Sequence, residues 1–396
     1  MSLRKVIIAP DSFKGVLTAQ EATDIIAEEI GNAFPKCKIV KMPIADGGEG
    51  SVEAVLSAIG GKTVDALVQS PDNRTINAYF GVSDYSSTDK VSMNKITSGD
   101  IIFTGKSAII EMAQSSGLTR QIGFNPMTSN TFGFGQMILK ALEQNVNEFT
   151  LCIGGSATTD GGCGMAAALG VKFTDNHGNS FIPCGETLCD IENIDTTGID
   201  ERITSCKFTV MCDVENPLFG TNGAAYVYGP QKGATPENIV TLDNSLRHYS
   251  LKLNEHFHKA FNNIPGAGAA GGLGAGCMAY LGAELKSGID VILSLYNFKK
   301  QAQSADLVIT GEGKLDSQSF QGKVLSGILK EAGSTPVWSI CGICDYDRAL
   351  LKERGVEVFE SSEGISIEES MKEPEKHLRK ATKKAMKIWR GVLCLR

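Results

Sequence analysis

A chain of 396 residues, 42% hydrophobic and 21% charged, is long enough for two cores and ordinary for a globular protein. Its net charge of −7 offers nucleic acid or an anionic membrane no electrostatic attraction, so an anionic ligand needs local donors. No apolar run reaches membrane-spanning length, and eleven scattered cysteines behind an opening that is not leader-like point to a reducing cytoplasm.

Residues 6–9 predict a buried strand, followed by the polar turn Pro10-Asp11-Ser12-Phe13-Lys14-Gly15. Thr18 with Glu21 three residues on forms a capping box for a helix reaching Ile30. A second strand over 39–42 ends in Ala45-Asp46-Gly47-Gly48-Glu49-Gly50, before a helix over 52–59 that Gly60-Gly61 stops. Period-two runs at 77–82 and 107–111 predict hairpin-like strands, separated by a polar excursion over 85–106. A helix is expected over 126–143 and a strand over 149–153.

The loop that follows, Gly154-Gly155-Ser156-Ala157-Thr158-Thr159-Asp160-Gly161-Gly162, has the composition of a strand-to-helix turn whose amides can face an anion. Ser156, Thr158 and Thr159 add hydroxyls, and Asp160 adds a carboxylate able to hold Mg²⁺ or accept a proton; a plain turn with a capped helix fits equally well.

Further on, a strand over 208–212 delivers Asp213-Val214-Glu215-Asn216-Pro217, and Pro236 starts a helix whose core face is Ile239, Leu242, Leu246, Tyr249, Leu253 and Phe257. The run 266–276 contains a formal G-x-G-x-x-G, but a helix and Pro265 precede it where a dinucleotide site requires a strand. It reads instead as backbone made to approach a ligand or another loop. After a helix over 287–303, strands are expected at 306–310, 337–340 and 356–359, with helices to 329, over 346–353 and over 368–389. The basic stripe of the last helix interleaves with glutamates, as a solvated face does. The two ends of the chain thus share one character and the middle another, a parallel-sheet α/β domain interrupted by an inserted α/β domain.

Loops at element junctions carry Gly beside acid or Lys around Asp11, Asp46, Asp160, Asp213 and Glu312, which points to a polyanionic ligand with a metal. None of the five histidines lies in these loops, which disfavours a Ser/His hydrolase and a His-rich zinc site. Carboxylate, Mg²⁺ and lysine are the parts of phosphoryl transfer, although no Walker A motif is present. Cys341-Gly-Ile-Cys344 has no second pair and no adjacent His, and reads as incidental.

Seven motifs in order resemble the bacterial type I glycerate kinases: Ala9–Gly15, Ala45–Gly50, Ile153–Gly162, Cys212–Leu218, Gly229-Pro230-Gln231-Lys232-Gly233-Ala234, Pro265–Gly272, and Thr310–Gly313 with Leu315-Asp316. The resemblance implies ATP-dependent phosphorylation of D-glycerate, with 2-phosphoglycerate as the usual product and Mg²⁺ as cofactor. A 3-phospho product, another small hydroxy acid, and a sensor without turnover are the alternatives. It also implies a discontinuous Rossmann-like or flavodoxin-like domain from 1–66 and 290–396, an inserted domain over 67–289, and an active site in the cleft between them, as a monomer or homodimer. The carried-over roles place Lys14, Asp46 and Asp316 in catalysis and Asp160 and Asp213 on the metal. Asp11, Ser12, Gly47, Gly48, Glu49, Gly154, Gly155, Ser156, Thr158, Asn216, Gln231, Lys232, Gly271, Gly272, Gly311, Glu312 and Gly313 are expected on substrate or phosphate. The sequence departs from the family at Lys314, where an arginine is usual, keeping charge but losing the planar fork.

Overall fold

The computed structural model describes residues 3–13, 15–44, 50–84, 106–320 and 324–394, so Lys14, Asp46, Gly47, Gly48, Glu49 and all but the last residue of the 85–106 excursion lie outside the described residues. In chain order the first strands are β1 (Lys5–Ile8), β2 (Lys38–Lys41), β3 (Lys62–Gln69), β4 (Thr75–Asp84), β5 (Lys106–Glu111) and β6 (Glu148–Cys152). Three short strands follow, β7 (Lys172–Thr174), β8 (Ser180–Phe181) and β9 (Asn193–Asp195), then β10 (Lys207–Met211), β11 (Glu284–Lys286) and β12 (Leu307–Thr310). The last are β13 (Lys314–Leu315), β14 (Val337–Cys341), β15 (Ile343–Cys344) and β16 (Val356–Glu360).

Contacts divide the chain into one unit, Met1–Asp46 with Gly288–Arg396, and a second, Gly47–Ser287. The first therefore ends before β3 rather than at residue 66. Pairing accounts for this: β3 runs antiparallel to β4 along its whole length, from Lys62 opposite Val82 to Gln69 opposite Thr75, so it moves with the second unit.

The first unit is an all-parallel sheet in the order β16-β14-β12-β1-β2. Its central strands are near-continuous apolar runs because both faces are covered. Val6, Ile8, Leu307 and Ile309 face a core that includes Ile26 and Ile30 of the helix Ala19–Ala33 and Leu378, Ala385 and Met386 of the helix Pro374–Cys394, while Ile7 and Val308 are buried on the other face. The Thr18–Glu21 capping box is present, with the Glu21 amide donating to Thr18 Oγ1 and the Thr18 amide to Glu21.

The second unit holds a mixed sheet in the order β11-β10-β6-β5-β4-β3, parallel from β11 to β5 and antiparallel beyond, plus the small sheet β8-β7-β9. Phe80, Phe134, Phe149, Phe173 and Tyr249 fill its core.

Three expected helices differ in the structure, and one helix was not expected. The one expected from residue 126 begins at Phe132, because the Thr131 amide and hydroxyl are committed to Asp160. The 287–303 segment breaks at Asn297, in left-handed conformation, into Gly288–Leu295 and Phe298–Gln303. Pro374 starts a new helix, separating Ile367–Lys372 from Pro374–Cys394. The glycine run contributes to a helix Ala269–Leu281 whose first turn is interrupted by left-handed Ala270, Gly271 and Gly272. Among the described residues no helix is long and apolar enough to cross a membrane.

Candidate active site

The first unit's sheet has a topological switch point. From β1 the chain moves to β2 on one side, and on its return it builds β12, β14 and β16 on the other. Loops at the carboxyl ends of strands flanking such a point diverge and leave a crevice, the usual ligand position in open α/β sheets. Here the loops after β1 and β12 flank it. The Asp11 amide donates to the Gly311 carbonyl at 2.8 Å, and Thr310 Oγ1 donates to the Ala9 carbonyl at 2.9 Å. Asp11 and Ser12 are half-buried and stand beside Gly311, Glu312 and Gly313, so five of the expected substrate residues share one edge.

The neighbouring loops continue the row. Ile44 N donates to Pro10 O, Gly342 N to Glu312 O, and Ser361 N to Cys341 O. Gly311 is required by close approach, since a methyl there would collide with the Ile340 carbonyl. Pairing of β13 with β15 then brings Lys314 to Asp345, at 3.0 Å, and to Asp316, at 3.8 Å. The Asp345 carboxylate raises the Lys314 ammonium above its ordinary value. Asp316 is half-buried and its amide donates to Ser319 Oγ, so its carboxylate sits at the start of a short helical turn on this same edge. Cys341 and Cys344 are free thiols.

The glycine loop of the second unit is built differently from the expectation. It follows β6, and its inner half is packed in the core: Ser156, Thr158, Thr159 and Asp160 are buried, whereas Gly154 and Gly155 stay accessible. Asp160 is fully buried. Its Oδ2 accepts from the Thr131 amide at 2.7 Å, Thr131 Oγ1 at 2.8 Å and the Gly164 amide at 3.1 Å, and its Oδ1 accepts from the Gly162 amide at 3.2 Å. Burial raises this carboxyl, and those hydrogen bonds oppose the rise. These bonds tie the loop to the segment before Phe132, and the carboxylate expected on a metal is turned into the core rather than toward solvent.

Lys232 is interior as well. It is 2% exposed, and its ammonium donates to Ser156 Oγ at 2.8 Å and to the Thr158 carbonyl at 2.5 Å, so it cannot reach a substrate from this position. Burial pushes it down to about 7, with the Asp160 charge opposing. Gly271 and Gly272 are also interior. A methyl at Gly271 would strike the Thr158 carbonyl, and the Gly161 amide donates to the Gly271 carbonyl at 3.1 Å, so the run 266–276 brings backbone against the 158–161 loop rather than against phosphate. Gly161 is close enough to Tyr249 that a methyl there would collide with the ring.

Of the remaining residues, Asp213 is exposed at the carboxyl end of β10 and accepts from Ser287 Oγ at 2.8 Å. Asn216 is drawn into its own loop, donating to the Asn222 carbonyl and accepting from Tyr228 Oη at 2.6 Å, and Gln231 is exposed. Among the described residues no three His, Cys, Asp or Glu side chains converge as a metal site. Sequence reasoning missed Glu111, 1% exposed at the end of β5, whose Oε1 accepts from the Val52 amide at 2.7 Å in the first turn of the helix Ser51–Ile59. An acid closing the apolar run Ala108-Ile109-Ile110 was the available signal. Along the helix Pro374–Cys394 runs a groove of about 1260 Å³ lined by Lys376, Arg379, Lys380, Lys383 and Lys384. Its cations are mostly paired, Arg379 with Glu28, Glu29 and Glu375, Lys383 with Glu29, Lys376 with Glu373 and Lys384 with Glu363, as the solvated-face reading expects.

Comparison with known proteins adds independent findings. The model of the glycerate kinase family matches residues 6–390. The glycerate 2-kinase of Escherichia coli (strain K12) is 42% identical over 357 residues, covering 89% of this chain and 89% of its own. The glycerate kinase of Bacillus cereus (strain ATCC 10987 / NRS 248) is 38% identical over 392 residues, 98% of each chain. A crystal structure of a glycerate kinase 2 from Salmonella typhimurium LT2 superposes with a TM-score of 0.82 at 35% identity, over 99% of this chain and all of that one.

Proposed function

Because this chain belongs to the glycerate kinase family, we propose that it transfers the terminal phosphoryl group of ATP to the C2 hydroxyl of D-glycerate, giving 2-phosphoglycerate, with the cytoplasm as its setting. The observation that carries this reading is the switch point of the first unit, where Asp11 and Ser12 abut Gly311, Glu312 and Gly313 at the carboxyl ends of β1 and β12. Loop amides and short polar side chains at such a crevice suit the carboxylate and phosphate of a small anionic substrate. Asp316 on the same edge is a candidate to accept the hydroxyl proton, with the Lys314 ammonium 3.8 Å away. Lys14 and Asp46 keep their proposed roles in charge neutralisation and proton acceptance. Mg²⁺, when bound, would neutralise phosphate charge; exposed carboxylates are the hard oxygen donors it takes, and Asp213 remains a candidate to hold it.

The test is a coupled ADP-release assay with ATP, Mg²⁺ and D-glycerate, followed by phosphorus NMR of the product. A 2-phosphoglycerate signal supports the reading in full. A 3-phospho product keeps the kinase and overturns the C2 assignment, and ATP turnover only with another hydroxy acid overturns the substrate. Asp316→Asn should keep the fold and lower kcat by roughly 100-fold or more if this carboxylate is the base.

A further inference from the structure

The groove along the helix Pro374–Cys394 has a floor as well as a charged rim. Glu360, the last residue of β16, and the buried Ser361, whose amide donates to the Cys341 carbonyl, line it with Leu17 and the buried Ala381. It therefore opens at the carboxyl edge of the first unit's sheet, where β14 stands between it and the loops after β12 and β1. Seven basic side chains line the groove against four glutamates, which makes it positive in a chain whose net charge is −7. The pairs described above, with that of Lys372 to Glu368, engage five of the seven. Lys380 and Lys387, both exposed and about two turns apart on one side of the helix, have no ion pair among the described residues, so two ammonium groups remain to meet an anion.

His377 lies beneath this groove. It is 6% exposed, and its neighbours three and four residues away on either side, Glu373, Pro374, Lys380 and Ala381, all line the groove. Residues at that spacing share a helix face, which sets the imidazole on the groove side. The Glu373 carboxyl, held below its ordinary value first by the hydrogen bond from Lys376, also feels the His377 ring, so the ring is within electrostatic reach of a groove residue. Both ring nitrogens are buried, and neither has a hydrogen-bond partner among the described residues. An imidazole always carries at least one N–H donor, and burying it without an acceptor is costly where an apolar side chain would pack freely. The start of the same helix lies alongside, since Pro374, Glu375 and Lys376 also line the groove, and its field favours an anion.

We propose that the groove is a binding site for a phosphate-bearing anion, with His377 donating a ring N–H from its floor and Lys380 and Lys387 neutralising charge at its rim. A phosphate group accepts from several directions at once, from an imidazole, from ammonium groups and from a helix N-terminus, and its charge matches two uncommitted lysines. The glutamates of the groove do not repel it, because Arg348 holds Glu360, Lys384 holds Glu363, Lys376 holds Glu373 and Arg379 holds Glu375. At about 1260 Å³ the groove is far larger than inorganic phosphate, so the group it takes belongs to a larger molecule, a nucleotide or a phosphorylated carboxylic acid. This binding does not depend on the kinase reading.

The probe is inorganic tripolyphosphate, titrated into the whole protein at about 0.15 M salt and followed by the nitrogen resonances of the histidine rings in nitrogen-15-labelled protein. The chain has five histidines, so the signal that disappears in His377→Gln belongs to His377. That signal should shift and saturate with a Kd of about 1 mM or lower. Replacing the exposed pair together, Lys380→Ala with Lys387→Ala, should raise the Kd by about tenfold or more. ADP and 2-phosphoglycerate are titrated separately; whichever moves the His377 signal at the lower concentration identifies a nucleotide or a phosphorylated acid as the source, and either supports the proposal. No shift of the His377 signal up to about 10 mM tripolyphosphate would overturn it, as would an unchanged Kd in the doubly substituted protein. An equal shift with sodium chloride at matched ionic strength would overturn it as well. Should His377→Gln not fold, replacing the other four histidines one at a time assigns the remaining signal by exclusion. Absence of glycerate phosphorylation would sink the kinase reading and leave this titration to decide the groove.

Discussion

Replacing Asp160 by Asn separates the two roles a carboxylate in this loop can play. In the structure Oδ2 accepts three hydrogen bonds, from the Thr131 amide and hydroxyl and the Gly164 amide, and Oδ1 accepts one from Gly162. An Asn carbonyl placed at the Oδ2 position keeps three of the four, but its amide then points donor to donor at the Gly162 N–H. The three retained bonds fall from charge-assisted to neutral, a loss of about 0.5–1 kcal/mol each, and the unpaired Gly162 amide costs about 1–2 kcal/mol more. Relief from burying a charge returns part of this, leaving a net loss of about 2–3 kcal/mol. For a unit of this size that corresponds to a fall of roughly 5–10 °C in melting temperature, read by calorimetry on the whole protein. A ligand role predicts the opposite pattern. Unchanged melting together with a raised Mg²⁺ requirement in the kinase assay would refute the reasoning and return Asp160 to the metal.

Other substitutions test neighbouring parts of the same account. Lys232 binds its proton less tightly folded, at about 7, than unfolded, at 10.5, so the unfolded chain holds more protons between these values and stability rises with pH across that window. The upper limit is about 5 kcal/mol, and the gain in melting temperature from about pH 7 to about pH 9 should be smaller in Lys232→Met than in the wild type. The buried Cys163 and Cys277 thiols, pushed up by burial, act in the opposite direction in both chains and cancel in the comparison. Gly271→Ala forces a methyl against the Thr158 carbonyl at a left-handed backbone position, and should cost more than about 3 kcal/mol or prevent soluble expression; near-wild-type melting would show that the 271 and 158 backbones can separate cheaply. Burial raises the Asp72 carboxyl, but hydrogen bonds from Arg74, Ser70 and the Ile122 amide outweigh it and hold it at about 2. That stabilisation is present above about pH 4 and lost as pH falls towards 2, so Asp72→Asn should cost about 1 kcal/mol at neutral pH, after allowance for solvent screening, and almost nothing near pH 2.

The sequence determined by itself whatever depends on neighbours within a few residues. The Thr18–Glu21 box, the apolar runs of β1, β12 and β14, the core face of the helix Pro236–Phe257 and the order of the glycine and acid loops are local patterns, and alternation of strand with helix implies a parallel sheet. The motifs around Asp11 and Glu312 were legible for the same reason, and so was the family. Tertiary structure decided which polar residues face solvent. Nothing in Gly154–Gly162 distinguishes a loop that cradles phosphate from one that must be tied into a core, because both need glycines, hydroxyls and an acid. The difference lies in partners far along the chain: Thr131 enclosing Asp160, Lys232 arriving beneath Ser156, and Gly271 pressing on Thr158. Glu111, set against the first turn of the helix Ser51–Ile59, was hidden for the same reason, since its partner precedes it by 59 residues. A buried charge is costly unless specific donors or acceptors meet it, and those meetings are made by the fold, so a charged residue's role as ligand or as tie is settled only when its distant partners arrive.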